Sequence, residues 1–266
     1  MMSLIDRRNR RSWAGKGAIS LLRRMIVLGA ALLGGQVWAD GEDPVLIASA
    51  GVVSRHIYRG VERSGDAWQV ALDGAVDGWR GQFWSSRPLD STAPGELRSR
   101  IGYVWAVTPS LSIEVSGTHF WYVDAPIKGA AGHSFEGNVR MTWTDRNRWR
   151  WGLESGYDIR FHSRVLEGSV EYDQPLPRWG TYLEGRLYAG QNMADEVLPD
   201  AAGTDVRDSY GYWGADFRLP YRISWHTTVA VSAHHTQTVN QNQYWSPQLI
   251  GSGGRTWFGL SASYEF

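Results

Sequence analysis

Three observations predict an all-β fold, a transmembrane antiparallel up-and-down barrel of about 12 strands. Apolar and polar side chains alternate with a period of two along most of the chain. The connections between these stretches are alternately short and long. The composition, with 31 Gly, 15 Trp and 12 Tyr, suits walls whose rings sit at two bilayer interfaces.

Residues 1–39 form the first element, and they read as a secretory signal peptide. Seven bases (Arg7, Arg8, Arg10, Arg11, Lys16, Arg23 and Arg24) precede or flank an apolar run from Met25 to Leu33, and Val37-Trp38-Ala39 supplies a cleavage site. The run falls well short of the roughly 20 residues a spanning helix needs. The precursor is neutral, with 27 bases and 27 acids; removing seven of those bases and one acid leaves a net −6 for residues 40–266. An exported acidic chain lacks the basic face that releases counterions from nucleic acid, so no nucleic-acid partner is expected. There is no cysteine, which excludes disulfides and thiolate metal sites.

Residues 40–266 read as one barrel with strands near 45–59, 67–76, 79–86, 96–107, 110–122, 133–143, 148–160, 164–174, 179–190, 208–219, 223–236 and 255–266. The fourth is the clearest: Leu97, Ile101, Tyr103, Trp105 and Val107 alternate with Glu96, Arg98, Arg100 and Gly102. A soluble sandwich shares this alternation, and the loops discriminate. Val61–Asp66, Arg87–Gly95, Val123–Gly132, Phe161–Ser163, Gln191–Arg207 and Gln237–Gly253 would face outward, and they include all the long connections. The corners at Asp77-Gly78, 108–110, 144–148, 174–178 and 220–223 are uniformly short and would face the periplasm. Trp105, Trp143, Trp149, Trp151, Trp179, Trp225, Tyr264 and Phe266 fall at the periplasmic ends. Trp121, Tyr122, Tyr210, Trp213, Trp257 and Phe258 fall at the opposite ends, as two aromatic girdles require. The last stretch puts Phe258, Leu260, Ala262, Tyr264 and Phe266 on one face. It resembles the C-terminal strand of outer-membrane barrels, which implies recognition by the barrel-insertion machinery, with closure against the strand near 45–59.

Alternation assigns Arg98, Arg100, Glu114, Glu136, Arg140, Arg150, Glu154, Asp158, Arg160, Glu167, Glu171, Glu184, Arg186, Asp216 and Arg218 to the lumen face, as candidate pore-lining residues. Rings of charge set selectivity in a water-filled pore, and cross-strand pairing that stiffens the wall is the alternative role. The mixed signs argue against strong selectivity for anions or for cations. Of the external loops, 191–208 is acidic and lacks the spacing of a calcium loop, whereas 237–253 carries amides and rings of the kind a sugar site uses.

Residues 53–66, Val-Ser-Arg-His-Ile-Tyr-Arg-Gly-Val-Glu-Arg-Ser-Gly-Asp, precede Gln69, Gly78, Gly81, Trp84 and Ser85. An aromatic-Arg-Gly turn (Tyr58, Arg59, Gly60), a Ser-Gly/Asp loop (Ser64) and a hairpin strand in which Gly78 and Gly81 precede Trp84 resemble the amino-terminal signature of TorF-type porins, whose strand pattern is Gly-x-x-Gly-x-Trp-x-Ser, over about residues 52–86. The resemblance implies an outer-membrane barrel with a transport role and no established substrate. Arg59 and Gly60 are expected to shape the first external turn.

The seven histidines show no spacing that places a nucleophile, a base or a metal on one strand face, and His234 and His235 must point to opposite sides. No catalytic residue, metal or cofactor is expected. The expected partners are membrane lipids and small hydrophilic solutes, in the outer membrane of a Gram-negative bacterium. A non-conducting surface-binding barrel and an outer-membrane enzyme are the competing readings.

Overall fold

The computed structural model describes residues 44–90, 95–123, 132–194, 197–199, 205–207, 209–239 and 254–266. The segment read as a signal and most of the two compositionally distinct loops lie outside them. Four strands open the described chain: β1 Val45–Val53, β2 His56–Tyr58, β3 Val61–Ser64 and β4 Ala67–Val76. Next come β5 Trp79–Pro88, β6 Gly95–Thr108, β7 Leu111–Val123 and β8 His133–Thr144. The remaining strands are β9 Trp149–Asp158, β10 Ser163–Leu176, β11 Thr181–Ala194, β12 Val197–Pro199, β13 Asp205–Arg207, β14 Tyr210–Arg222, β15 Thr227–Val239 and β16 Gly254–Glu265.

Twelve of these close an antiparallel barrel in the order β1-β16-β15-β14-β11-β10-β9-β8-β7-β6-β5-β4. Closure is needed because an unpaired strand edge in lipid leaves a row of amides and carbonyls without partners. β1 and β16 supply it, pairing from Ile47 with Glu265 to Val53 with Gly259. The Phe266 amide adds a last rung to the Leu46 carbonyl at 3.0 Å. β12–β13 and β2–β3 form separate two-stranded ribbons.

One end of the barrel has only tight connections, including the Asp77-Gly78 turn. Asp77 (φ 49°) and Gly78 (φ 81°) there adopt the two left-handed conformations of a type I′ hairpin. On the outer surface Ile101, Val115, Val139, Leu153, Leu187, Val231 and Leu260 are exposed, which makes the outside apolar and lipid-facing. Around the tight-turn end Trp79, Tyr103 and Trp105 pack edge-on at 5.2 and 4.8 Å, Trp149 meets Tyr172 at 4.6 Å and Tyr264 meets Phe266 at 5.0 Å, giving one dense aromatic belt. The other belt differs from expectation. Trp121, Trp213 and Phe258 are exposed on the outside, but Tyr210 and Trp257 are buried inside and Tyr122 turns toward Arg63.

Their inward turn reflects a second departure. The first strand leaves the wall at Val53 rather than running to 59, and residues 54–66 fold into the barrel. This segment, and not the external surface, is where Arg59 and Gly60 are found.

Candidate functional site

The chain leaves the wall at a knot. The Ser54 amide donates to the Phe258 carbonyl at 2.9 Å, and the Phe258 amide donates to the Ser54 hydroxyl at 3.0 Å. β2 and β3 then form a hairpin whose turn residues, Arg59 (φ 49°) and Gly60 (φ 77°), are again both left-handed. The chain rejoins the wall at the buried Ala67.

Across the lumen, the Arg59 guanidinium grips Glu136 of β8 with two hydrogen bonds, at 2.5 and 2.8 Å, and lies 3.7 Å from Glu154 of β9. Two planar forks meeting in a half-dry lumen make the strongest kind of protein hydrogen bond. Two guanidinium groups approach the Tyr58 ring, Arg59 at 4.8 Å and Arg98 at 4.0 Å, and the ring approaches Phe120 at 5.9 Å. Arg98 also covers Trp84 at 4.4 Å and pairs with Glu96. His56 donates from Nε2 to Glu96 at 3.1 Å and stacks loosely on Trp84 at 5.1 Å, with the Gln69 amide at 3.5 Å from its Nδ1. Burial lowers the His56 pKa against the opposing pull of Glu96, and Arg98 and Arg63 add to the lowering. Burial also pushes the Tyr58 hydroxyl well up.

On the opposite wall the hairpin tip is apolar. Val61 packs with Tyr210 and Tyr212, and Gly60 lies so close that a Cβ there would be 2.7 Å from Thr238 and 2.8 Å from Tyr212. Glu62 is held by Arg255 at 2.8 Å and Arg55 at 3.3 Å. The hairpin is therefore fastened both to the β5–β9 wall and to the β14–β16 wall.

Beyond it, the register explains where the remaining lumen-phase charges go. Cross-strand partners Arg150, Glu171, Arg186 and Asp216 form a ladder of alternating sign running from β9 to β14, and His234 of β15 lies next in register. Arg150 bonds Glu171 at 3.1 Å and Asp173 at 2.7 Å, and Arg140 also reaches Glu171, at 3.2 Å. Arg186 meets Glu167 at 2.6 Å and Asp216 at 3.7 Å, and Arg218 pairs with Glu184 at 3.0 Å. Arg100 bonds Glu114 at 2.7 Å, Glu167 accepts from the Tyr212 hydroxyl at 2.8 Å, and Asp158 accepts from Ser134 at 2.5 Å. Arg160 departs from its expected lumen position. It sits at the exposed corner after β9, where Asp158 accepts the Arg160 and Phe161 amides at 2.9 Å, and its guanidinium reaches the His133 carbonyl.

The motif residues separate. Tyr58, Arg59, Gly60 and Ser64 are in the hairpin, and Trp84 is on the wall that receives it, joined to Tyr58 by the guanidinium of Arg98. Gly78 turns a corner at the other end, and Gly81 faces outward with no atom within 4 Å of a Cβ placed there. Alternation missed Glu62, Arg255, Glu96, Asp173 and Tyr212 as contacts, although all but Glu62 lie on inward phases that could have found them. His234 bonds Asp216 at 2.8 Å and stacks flat on Trp257 at 5.0 Å, whereas His235 faces outward against Trp213.

On the seam, between Arg255 of β16 and Asp73 of β4, the inward side chains are mostly small. Inward positions of β1, β4, β15 and β16 include Ser49, Gly51, Ala71, Ser232, Gly259 and Ser261. They border a cavity of about 170 Å³ that also touches Gln69, Trp84 and His234.

No family model and no curated relative matches the chain. Solved structures do. The NanC porin aligns at 9% identity and a TM-score of 0.54, over 82% of this chain and 98% of that one. An outer membrane channel from Pseudomonas putida F1 aligns at 9% identity and 0.42, over 87% and 97% of the two chains. OccD1 (OprD) aligns at 9% and 0.39, over 85% and 66%. At such identity the likeness is one of fold, and it is the NanC match that carries it: the chain has the twelve-stranded architecture of a Gram-negative outer-membrane barrel.

Proposed function

We propose that this protein is a channel for passive diffusion of small hydrophilic solutes, narrowed by the hairpin of residues 54–66. The observation that carries the reading is the contrast between two levels of the lumen. Beside the hairpin, Glu136 is 5% exposed and Glu96 4%, so that level is filled. Nearer the tight-turn end, Arg218 is 40% exposed and Arg150 38%, so water reaches a polar, mixed-charge wall. Opposite charges paired along that wall give little net field for either ion sign.

The resemblance of residues 52–86 to the TorF-type porins supports the same reading, because Tyr58, Arg59, Gly60 and Ser64 of the signature lie in the hairpin and Trp84 on the wall that receives it, although Gly78 and Gly81 lie elsewhere. Residues 1–39 are proposed as the export signal and the strand ending at Phe266 as the part read by the insertion machinery. N-terminal sequencing of protein purified from the outer membrane is expected to start at Asp40, and a start within residues 1–39 would remove the signal assignment.

A second reading is supported by the fastening of the hairpin to both walls, through Arg59 with Glu136 and Glu62 with Arg255: the segment seals the barrel, and the protein serves as a surface-binding scaffold. Planar-bilayer recording separates the two. The channel reading expects ohmic steps from the folded protein, with conductance rising severalfold when residues 55–65 are replaced by a Gly-Ser link. Silence from the intact chain with steps only from the replaced one identifies a plug.

A further inference from the structure

We infer that the cavity on the closing seam is a binding site for one small uncharged polar solute, and that solutes pass along this seam rather than through the charged centre. The inference deepens the channel reading and rests on it for the word "pass", while the site itself does not need conduction. The first observation is the asymmetry of the wall. From β6 to β14 the inward positions carry Arg, Glu, Asp and Tyr that reach across and pair. Around the cavity, from β15 through β16 and β1 to β4, they carry hydroxymethyl, methyl or hydrogen at Ser232, Gly259, Ser261, Ser49, Gly51 and Ala71, beside Val53, while Arg255 and Asp73 of the same strands lie outside its lining and pair with Glu62 and Gln82. The second is that this difference leaves real space: the cavity of about 170 Å³ far exceeds the roughly 30 Å³ that one water occupies in the liquid.

The third is the chemistry of the lining. Gln69, Ser232 and His234 offer donors and acceptors, and Trp84 offers an indole. The one titratable side chain among the lining residues, His234, already has its carboxylate in Asp216. A site with hydroxyls, an amide and a ring, and no unpaired charge, matches a neutral polyol of monosaccharide size. It offers a sugar acid or an amino sugar no counter-charge to replace lost hydration.

The chain has no cysteine, so single thiols can be placed without background. Ser232→Cys and Ser261→Cys sample the seam; Ser116→Cys and Ser134→Cys sample the buried opposite wall. Each variant, once its heat-modifiable gel shift shows a folded barrel, is treated with methyl methanethiosulfonate, and labelling is followed by mass. The seam thiols are expected to react about tenfold faster than the other two. Excess glucose is expected to slow Ser232→Cys labelling at least twofold, with gluconate and glucosamine without effect. Adding Gln69→Ala should abolish the glucose protection. Equal or reversed labelling rates overturn the seam path, and equal protection by gluconate or glucosamine, or none by glucose, overturns the solute class. A wild type silent in the bilayer that still shows glucose-specific protection removes the channel reading and leaves the site standing.

Discussion

Arg59 is a charge placed inside a membrane protein and neutralised from a strand 77 residues away. Removing one member of a buried, hydrogen-bonded ion pair leaves the other desolvated and alone, at a cost of about 3–5 kcal/mol. The hairpin is an appendage of the wall, so Arg59→Ala is expected to unseat it while the barrel survives. Trypsin cleavage after Arg63 in folded protein should then rise by roughly a hundredfold to a few thousandfold, since about 1.4 kcal/mol is a factor of ten. Gly60→Ala should do the same by another route, because it forces a methyl group into a left-handed turn and against Tyr212 and Thr238. Gly65→Ala, with nothing within 4 Å, is the control that leaves cleavage unchanged. If neither Arg59→Ala nor Gly60→Ala accelerates cleavage, the seat is held elsewhere. The spacing of Tyr58, Arg59 and Gly60 was legible as unusual in the sequence. Its direction was not, because the partners Glu136, Tyr212 and Thr238 are brought to the turn only by closure of the barrel.

The hairpin as an element also has a built-in response to pH. His56 in the seated hairpin has its pKa lowered by burial, beyond what the Glu96 carboxylate restores. A released hairpin carries an ordinary histidine near 6.5. The seated form therefore binds protons less readily, and its stability rises with pH across the interval between the two values. The contribution is fully present above about 6.5 and is lost as pH falls through the lowered value. Taking the folded protein from about pH 7.5 to about pH 5 is thus expected to raise conductance or its fluctuations, and His56→Gln should flatten the response. A response that persists unchanged in His56→Gln would assign it to another group. Strand positions were readable because alternation is local, and the expected run at 96–107 lies within β6. The end of β1 was hidden because Arg55 to Tyr58 carries no glycine or proline to mark a break. What ends the strand is the cross-seam knot of Ser54 with Phe258, a contact between residues 204 positions apart.

For the molecule as a whole the decisive feature is the seam, since a barrel in lipid is either closed or carries two open edges. β1 and β16 approach closely because their facing residues are small: a Cβ on Gly51 would lie 2.6 Å from the Leu260 carbonyl oxygen, a backbone atom held in the ladder. A side chain there cannot rotate out of the contact, so the strands must separate, and overpacking of this kind costs about 1–3 kcal/mol before any rung is lost. Separation also weakens the rungs from Ile47 to Val53, which makes the penalty cooperative. Gly51→Val is accordingly expected to prevent closure, seen as loss of the compact, heat-modifiable band after refolding into detergent or lipid. Gly81→Val is the matched control: the same side chain is added to a strand position where a Cβ meets nothing within 4 Å and faces lipid, so its band should match wild type. A Gly51→Val protein that closes as readily as the control would mean that the seam has slack. The same small residues leave the cavity open on the lumen side, so a seam that tolerates bulk would also weaken the case that its shape selects a solute.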